Sequence, residues 1–470
     1  LLTLTCPNGV ICAILPPFFL RLQISMKKIA LSLPRCPDTF VKGALRTLSV
    51  LVLLTVPSLS RPAIAAMEDS PKAIVDEMWQ IVYTESVAKN FEPESWLKLR
   101  EDLLSQNYDT YDTAYRQIRG ALRTLGDPYT RFLDPEEFET LTSQTTGELS
   151  GIGIRMEINA ETGILTVVDV LPDSPAEAAG VQAEDQIMQI DGQVTALLSL
   201  EQSSELIRGL EGTEVNLKIR RRDQSSLDLA ITRAKIELAT VNYGVQTIGD
   251  EKVGYIRLDE FSSHAAEQMY NAIQDLKAET VTGFVLDLRG NPGGLLYSSV
   301  DIARMWMEEG AIVRTVDRKG GDRQFSANQT AITDLPLVVL VDENSASASE
   351  ILAAALKDNQ RATLVGTRTY GKGTVQSVHE LSNGAGLAVT ISRYYPPSGM
   401  SINMNGVSPD ITVELDNEQF TQLRLDPSLI GTSADPQFLK AVNILQNQRL
   451  SETPGKQAPL SARSSGAISN

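Results

Sequence analysis

Apolar positions change their spacing along this chain, and the changes divide it. From Glu68 to about Thr142 they recur at helical intervals: Trp79, Val82, Tyr83 and Val87 share a face, as do Trp96, Leu99 and Leu103, and then Tyr111, Tyr115, Ile118 and Leu122. Gly126-Asp127-Pro128 interrupts the pattern, and Asp134-Pro135-Glu136-Glu137 restarts it with proline and acids in a first turn. The aromatic residues of this region read as core. From Gly147 to about Arg233 the period shortens to that of strands. Ile164 to Val170, Ile187 to Ile190, Val215 to Arg220 and Leu227 to Ile231 are strand-like, with Asp191-Gly192 as a hairpin turn. Glu177 to Ala179 and Leu200 to Leu210 between them are helical. From Ala234 strands and helices alternate. Strands are predicted at 253–258, 283–288, 312–316, 337–341, 363–365, 374–379 and 387–391, with helices over 263–277 and 295–307. Such alternation implies a largely parallel or mixed sheet. A weak helix over 436–446 precedes a Ser/Ala/Gly/Pro tail from Ser451 whose composition predicts disorder.

A chain of 470 residues, 42% of them hydrophobic, fits two or three domains with substantial cores. Its formal charge is −17. Residues 1–66 hold seven basic side chains and one acid, Asp38, so the remainder carries 35 basic against 58 acidic residues, a charge of −23. So acidic a body argues against nucleic-acid binding and against a polybasic membrane anchor. Met26-Lys27-Lys28 reads as a translation start, with Leu1 to Ser25 an upstream extension. Lys42 and Arg46, the apolar run 48–59 and Ala63-Ile64-Ala65 then form an export signal with cleavage near Ala65 or Ala66. The run is short and broken by Pro57; its alternative is a retained signal anchor. Cys6, Cys12 and Cys36 all lie in this region. A processed chain would hold no disulfide, no thiolate nucleophile and no Cys-based zinc site.

The chemistry concentrates between Val338 and Gln376. A continuous apolar strand, Leu337 to Val341, is followed by Ser345-Ala346-Ser347-Ala348-Ser349-Glu350 and then by a helical pattern through Ile351, Leu352, Ala355 and Leu356. A serine at that turn stands beside the free N–H groups and positive dipole of a helix start, which suit a developing oxyanion. The plain alternative is an N-cap. Another strand leads to Gly371-Lys372-Gly373. Only two histidines exist, His264 and His379, and both sit in patterns that read as structural. A lysine is therefore the better base for a serine nucleophile. It must be neutral, which asks burial for a fall of roughly three pKa units, or about 4 kcal/mol. A second glycine-rich turn, Gly290-Asn291-Pro292-Gly293-Gly294, follows the buried strand ending at Asp287-Leu288-Arg289.

Taken together, SASASEI, YGKGTVQ, DLRGNPGG and GVSPDI resemble the carboxyl-terminal processing proteases, the tail-specific Ser/Lys peptidases, over roughly residues 70–415. The resemblance implies Ser347 as nucleophile, Lys372 as base and Gln376 as the residue orienting it. It implies oxyanion donors from Gly293 or Gly294 and from Ala348, with Asp287, Arg289 and Glu350 in support. Residues 147–233 resemble a PDZ domain, in which Gly151-Ile152-Gly153-Ile154 would hold a substrate's terminal carboxylate and a neighbouring strand edge would take the peptide. Two departures stand out. Glu184-Asp185 replaces the usual Gly-Asp, and Met400 stands where arginine is common.

The expected fold is α+β and multidomain: an export signal region (1–66), an N-terminal helical region (67–145), a PDZ domain (146–233), a crotonase- or ClpP-like β/α peptidase core (234–415), a C-terminal helical segment (416–450) and a tail (451–470). The N-terminal helices are implied to serve dimerisation or to support the peptide-binding domain. The expected activity is an endopeptidase of the periplasm or thylakoid lumen. It would act on protein substrates through their free C-termini, without metal or organic cofactor and without nucleic acid. Maturation of the photosystem II reaction-centre precursor and general envelope protein turnover both fit, and peripheral membrane association and a homodimer are compatible with the resemblance. The rival readings are a PDZ-bearing binding protein or chaperone without turnover, and a Ser-His hydrolase using His379.

Overall fold

The computed structural model describes residues 70–249 and 251–452. The export-signal reading and nearly all of the tail reading therefore lie outside the described residues.

Four helices open the described chain: Pro71–Glu85, Pro93–Ser105, Tyr111–Arg123 and Pro135–Thr146. Their starts are written in the sequence. The Ser70 and Thr110 side chains accept from the N–H groups of Ala73 and Thr113, and Asp134 forms a reciprocal capping box with Glu137. The apolar stripe Ile74, Met78, Trp79 and Val82 meets Trp96, Ile118 and Leu122, and all of them pack on Leu387 and Val389 of the strand Gly386–Tyr395. A strand that the periodicity did not announce, Arg131–Leu133, adds to that sheet with Phe132 opposite Leu387. The N-terminal helices are thus built into the core that follows.

The next unit hangs on a two-stranded stalk, Glu148–Gly151 paired with Ala234–Glu237. Between the stalk strands lies a sheet in which Ile154–Ile158, Leu165–Val170, Gln186–Ile190, Glu214–Arg220 and Ser226–Thr232 are neighbours in that order. Ile187, Ile190, Val215, Leu217 and Ile219 face inward with Ile207 of the helix Leu200–Ile207. Asp191 and Gly192 both take positive φ, 45° and 79°, as a two-residue hairpin turn requires. Glu184, where glycine is usual, also has positive φ, 71°. Its neighbour Asp185 is buried and receives the Arg221 guanidinium at 2.9 Å. The departure from the usual pair thus costs backbone strain and leaves the fold unchanged.

The remaining strands do not form the one sheet that alternation with helices suggested. One six-stranded sheet runs Val241–Ile248, Glu251–Leu258, Gly283–Asp287, Leu337–Val341, Thr363–Gly366 and Ile411–Thr412, with the first pair antiparallel and the rest parallel. Its inner strands are apolar without a break because both faces are covered. Phe284, Leu286 and Val339 meet the helices Ala265–Ala278, Leu296–Trp306 and Ala348–Asp358. Val285, Val338 and Leu340 meet Phe438, Ala441 and Val442 of the final helix Pro436–Glu452, which is longer than its sequence pattern suggested. Ala311–Asp317, Asp322–Ser326, Thr374–Glu380 and Gly386–Tyr395 form a separate antiparallel sheet with Arg131–Leu133. No helix among the described residues is long and apolar enough to cross a membrane.

Candidate active site

Two neighbouring parallel strands, Gly283–Asp287 and Leu337–Val341, end side by side. Loops at the carboxyl ends of such strands are where open α/β sheets place their chemistry. The loop after the second strand carries three alternating serines. Ser345 and Ser349 are wholly buried and spend their hydroxyls on the backbone, on the carbonyls of Leu288 at 2.8 Å and Asn291 at 3.0 Å. Ser347 is only half-buried and starts the helix Ala348–Asp358 with φ 55° and ψ −111°, a conformation costly for a residue with a side chain. Of the three serines, the middle one is thus the one that is neither wholly buried nor bound by its hydroxyl to a backbone carbonyl.

The loop with Lys372 is held to this turn by two groups. The Glu350 carboxylate, fully buried, accepts four hydrogen bonds. Thr369 Oγ1 at 2.6 Å and the Gly371 N–H at 2.7 Å reach Oε1, and the N–H groups of Ser347 and Lys372, each at 2.9 Å, reach Oε2. From the other side the Tyr394 hydroxyl donates to the Lys372 carbonyl and lies 3.2 Å from the Ser347 carbonyl. One side chain thus binds the amides of both residues and another lies against both carbonyls. Burial pushes the Glu350 carboxyl above its ordinary range, against the pull of its four donors. Burial, helped by Arg131, holds the Lys372 amine below its ordinary range, while Asp127 and Glu350 oppose the shift. That is the direction a lysine base needs.

The glycine turn closes over the serine. A side chain on Gly293 (φ 109°) would stand 2.7 Å from the Ala346 carbonyl oxygen and 2.8 Å from Ser347 Cβ, and one on Gly294 would stand 2.4 Å from the Phe261 carbonyl oxygen. The Gly293 N–H is engaged, donating to Asn291 Oδ1 at 2.8 Å. Among the described residues neither the Gly294 nor the Ala348 N–H donates to an acceptor within the chain. Below the turn, Arg289 is clamped between Asp287, at 2.5 and 2.9 Å, and Asp435, at 2.7 and 3.2 Å, with Gln437 at 2.8 Å. Tyr255 adds a hydrogen bond to Asp287 at 2.7 Å. Burial alone would raise the Asp287 carboxyl, but the Arg289 guanidinium overrides it and the net direction is down.

Residues 252–413 match Peptidase family S41 and residues 166–221 match a PDZ domain. The chain is 41% identical over 386 residues to the carboxyl-terminal-processing protease of Synechocystis sp., covering 82% of this chain and 88% of that protein. The chain belongs to the carboxyl-terminal-processing proteases of peptidase family S41. It is also 37% identical over 378 residues to the chloroplastic C-terminal processing peptidase of Tetradesmus obliquus, covering 77% of this chain and 81% of that one. Among solved structures it is similar to a photosystem II D1 C-terminal processing protease, 36% identical with a TM-score of 0.49, over 78% of this chain and 99% of that one.

Members of this family are serine peptidases, and the remaining expected positions can be placed in that light. No hydrogen bond joins Lys372 Nζ to Ser347 Oγ. The amine lies instead beside the ring of Tyr129, 5.0 Å from its centroid. Gln376 makes no hydrogen bond to Lys372 either; its amide nitrogen donates to Thr374 Oγ1 at 2.9 Å and Thr390 Oγ1 at 3.3 Å. His379 lies against Glu85 at 2.9 Å and His264 against Glu148 at 3.1 Å, and neither makes a hydrogen bond to Ser347. Met400 is exposed.

In the PDZ domain, Gly151, Ile152, Gly153 and Ile154 lead into the edge strand Ile154–Ile158, beside the helix Leu200–Ile207. Among the described residues the N–H groups of Ile152 and Gly153 donate to nothing, while their carbonyls accept from Ala176 at 2.8 Å and Leu171 at 2.9 Å. Tyr394, Asp435 and Gln437 carry no motif, and Tyr129 stands in the stretch LGDPYTRFLDPEEF, which resembles the family's N-terminal region without marking a site residue.

Proposed function

We propose that this chain is an exported endopeptidase that captures a protein by its free carboxyl terminus in the PDZ groove and cleaves the tail nearby with Ser347 and Lys372. The observation that carries the reading is the Glu350 carboxylate, which takes the backbone N–H of both residues at 2.9 Å and so fixes serine and lysine to one frame. Ser347 Oγ attacks the scissile carbonyl as the neutral Lys372 amine takes its proton. The tetrahedral oxyanion is received by the Ala348 N–H and by the glycine turn, where the Gly294 N–H is the free donor. A donor of this kind typically contributes about 3 kcal/mol to the transition state. Lys372 then protonates the leaving amine, and water releases the acyl group.

Asp287 and Arg289 support this chemistry by fixing the turn that presents Gly293 and Gly294. Gln376 acts on Lys372 through the strand Thr374–Glu380 rather than by a hydrogen bond. The unpaired N–H groups at Ile152 and Gly153, next to an open strand edge, support capture of a carboxylate with addition of the peptide as a strand. The reading includes a lumenal or periplasmic setting, which the chloroplastic and cyanobacterial sources of the relatives support, and a photosystem II reaction-centre precursor as substrate. A homodimer and peripheral membrane attachment complete the reading, tested by sedimentation and by vesicle flotation.

The deciding experiment offers purified protein a synthetic C-terminal peptide in free and amidated forms. Cleavage of the free form, at least tenfold weaker after amidation and lost in Ser347→Ala and Lys372→Ala, is expected. Equal cleavage of both forms removes carboxylate capture. Turnover surviving in Lys372→Ala removes the base assignment. Binding without cleavage by the unaltered chain would return the PDZ binding protein as the better reading.

A further inference from the structure

Lys372 has a companion that the steps above do not use. Its Nζ lies 5.0 Å from the centroid of the Tyr129 ring, inside the range of about 6 Å at which an aromatic face attracts an ammonium. Among the described residues that amine makes no hydrogen bond and no ion pair. The ring is its one specific contact there.

The ring's position is fixed by short-range bonds. Asp127 accepts the Tyr129 N–H at 3.1 Å and the Thr130 hydroxyl at 2.6 Å. The Thr130 oxygen in turn accepts the Thr390 N–H at 3.1 Å, and the strand Arg131–Leu133 then pairs with Gly386–Ala388. Burial, with the phenol of Tyr370 two residues before Lys372 as a second cause, pushes the Tyr129 phenol up to about 12. Tyr129 therefore stays neutral near pH 7 and is not itself a base. The charged groups acting on the amine are Arg131, Asp127 and Glu350, and the ring beside it is that of Tyr129. The Tyr394 hydroxyl is taken by the backbone carbonyl of Lys372.

An aromatic face attracts an ammonium far more strongly than a neutral amine, because the attraction is between charge and ring quadrupole. A ring in this place therefore distinguishes the two states of the base. We propose that Tyr129 is a positioning residue for Lys372: its face holds the amine while it is charged and lets it go toward the Ser347 hydroxyl once it is neutral. The inference rests on Lys372 being the general base. It gives the N-terminal segment a part in the reaction that reaches beyond dimerisation or support of the peptide-binding domain.

The test compares Tyr129→Leu, which keeps apolar cover but removes the ring, with Tyr129→Phe, which keeps the ring but loses the hydroxyl. Two quantities are followed against pH on the full chain: kcat/KM for a free-carboxylate peptide, and the rate at which acetic anhydride acetylates Lys372, read by peptide mass spectrometry. Losing the ring withdraws support from the ammonium. In Tyr129→Leu both titrations should move to lower pH by roughly 0.4 to 1.5 units, and in Tyr129→Phe by less than about 0.2. An unchanged or raised titration in the leucine variant, or an equal shift in both variants, overturns the inference. Should the leucine chain not fold, Tyr129→Met asks the same question. Failure of the underlying reading looks different: turnover would survive Lys372→Ala, while acetylation would still report whether the ring holds the amine.

Discussion

Replacing Glu350 by glutamine changes one atom and tests the frame that holds the site. The carboxylate is wholly buried and accepts two donors on each oxygen. Glutamine offers one acceptor oxygen and one NH2. With the NH2 toward Ser347 and Lys372, two backbone N–H groups would face a donor. With the NH2 toward Thr369 and Gly371, the threonine hydroxyl, which already takes the Val407 N–H at 2.7 Å, can accept instead of donate, so the Gly371 N–H is the one backbone donor orphaned and the hydroxyl proton must turn elsewhere. The second orientation is the cheaper one. A buried donor left without an acceptor costs about 1–3 kcal/mol, so the loop carrying Lys372 should loosen by that amount. At about 1.4 kcal/mol per factor of ten, kcat should fall roughly 5- to 150-fold with KM little changed, because substrate binding lies elsewhere. The assay is steady-state cleavage of the free-carboxylate peptide, with urea unfolding run beside it. A kcat within twofold of the unaltered enzyme, with the same unfolding midpoint, would refute the view that these four bonds hold the site together.

Three further outcomes are expected. Burial and Arg131 lower the Lys372 amine, so under the proposed mechanism, in which the neutral amine is the base, kcat/KM should rise with pH along a limb centred below the usual lysine value of about 10.4; a limb at that value contradicts it. Asp287→Asn breaks one side of the buried Arg289 clamp and should cost about 3–5 kcal/mol in urea unfolding at pH 7. Since the folded Asp287 carboxyl is lowered, its stabilisation is present above about pH 3.9 and lost as pH falls through the folded value, so the variant should lie closer to the unaltered chain in strong acid. Gly293→Ala would set a methyl group 2.8 Å from Ser347 Cβ and should reduce kcat about 10²-fold by shifting the nucleophile; unchanged kcat would mean that the turn is not in register with the serine.

The fold was legible where burial is one-sided or complete. Leu337–Val341 reads as a strand because every residue in it is covered. The Asp134 helix start reads as one because cap, proline and acid fall in their places. Val241–Ile248 escaped notice because it lies at the sheet edge, with Asn242, Tyr243 and Thr247 exposed on a strand of mixed polarity. The division into two sheets was equally hidden, since pairing is a property of distance and not of local pattern. The same limit applies to the site. Glu350 could be read as an acid in a first helical turn, but nothing local says that it reaches a loop 21 residues on. Tyr394 sits in a strand whose alternation names a face and not a partner, yet its hydroxyl lies 3.2 Å from a carbonyl 47 residues earlier. Tyr129 follows the Gly126-Asp127-Pro128 break in a region whose aromatic residues read as core, and nothing local pairs it with Lys372. The choice among three serines became physical only once the two outer hydroxyls were seen to be occupied.

The clamp on Arg289 also sets how short this enzyme can become. Asp435 and Gln437 open the last described helix, and without them a guanidinium under the glycine turn loses two of its three side-chain partners. Paring the chain back past that helix, whether by a neighbouring molecule of the same kind or by a cloning decision, uncovers the back of the sheet and slackens the support beneath that turn at once. A protease that trims carboxyl ends thus has a limit beyond which its own cannot be trimmed.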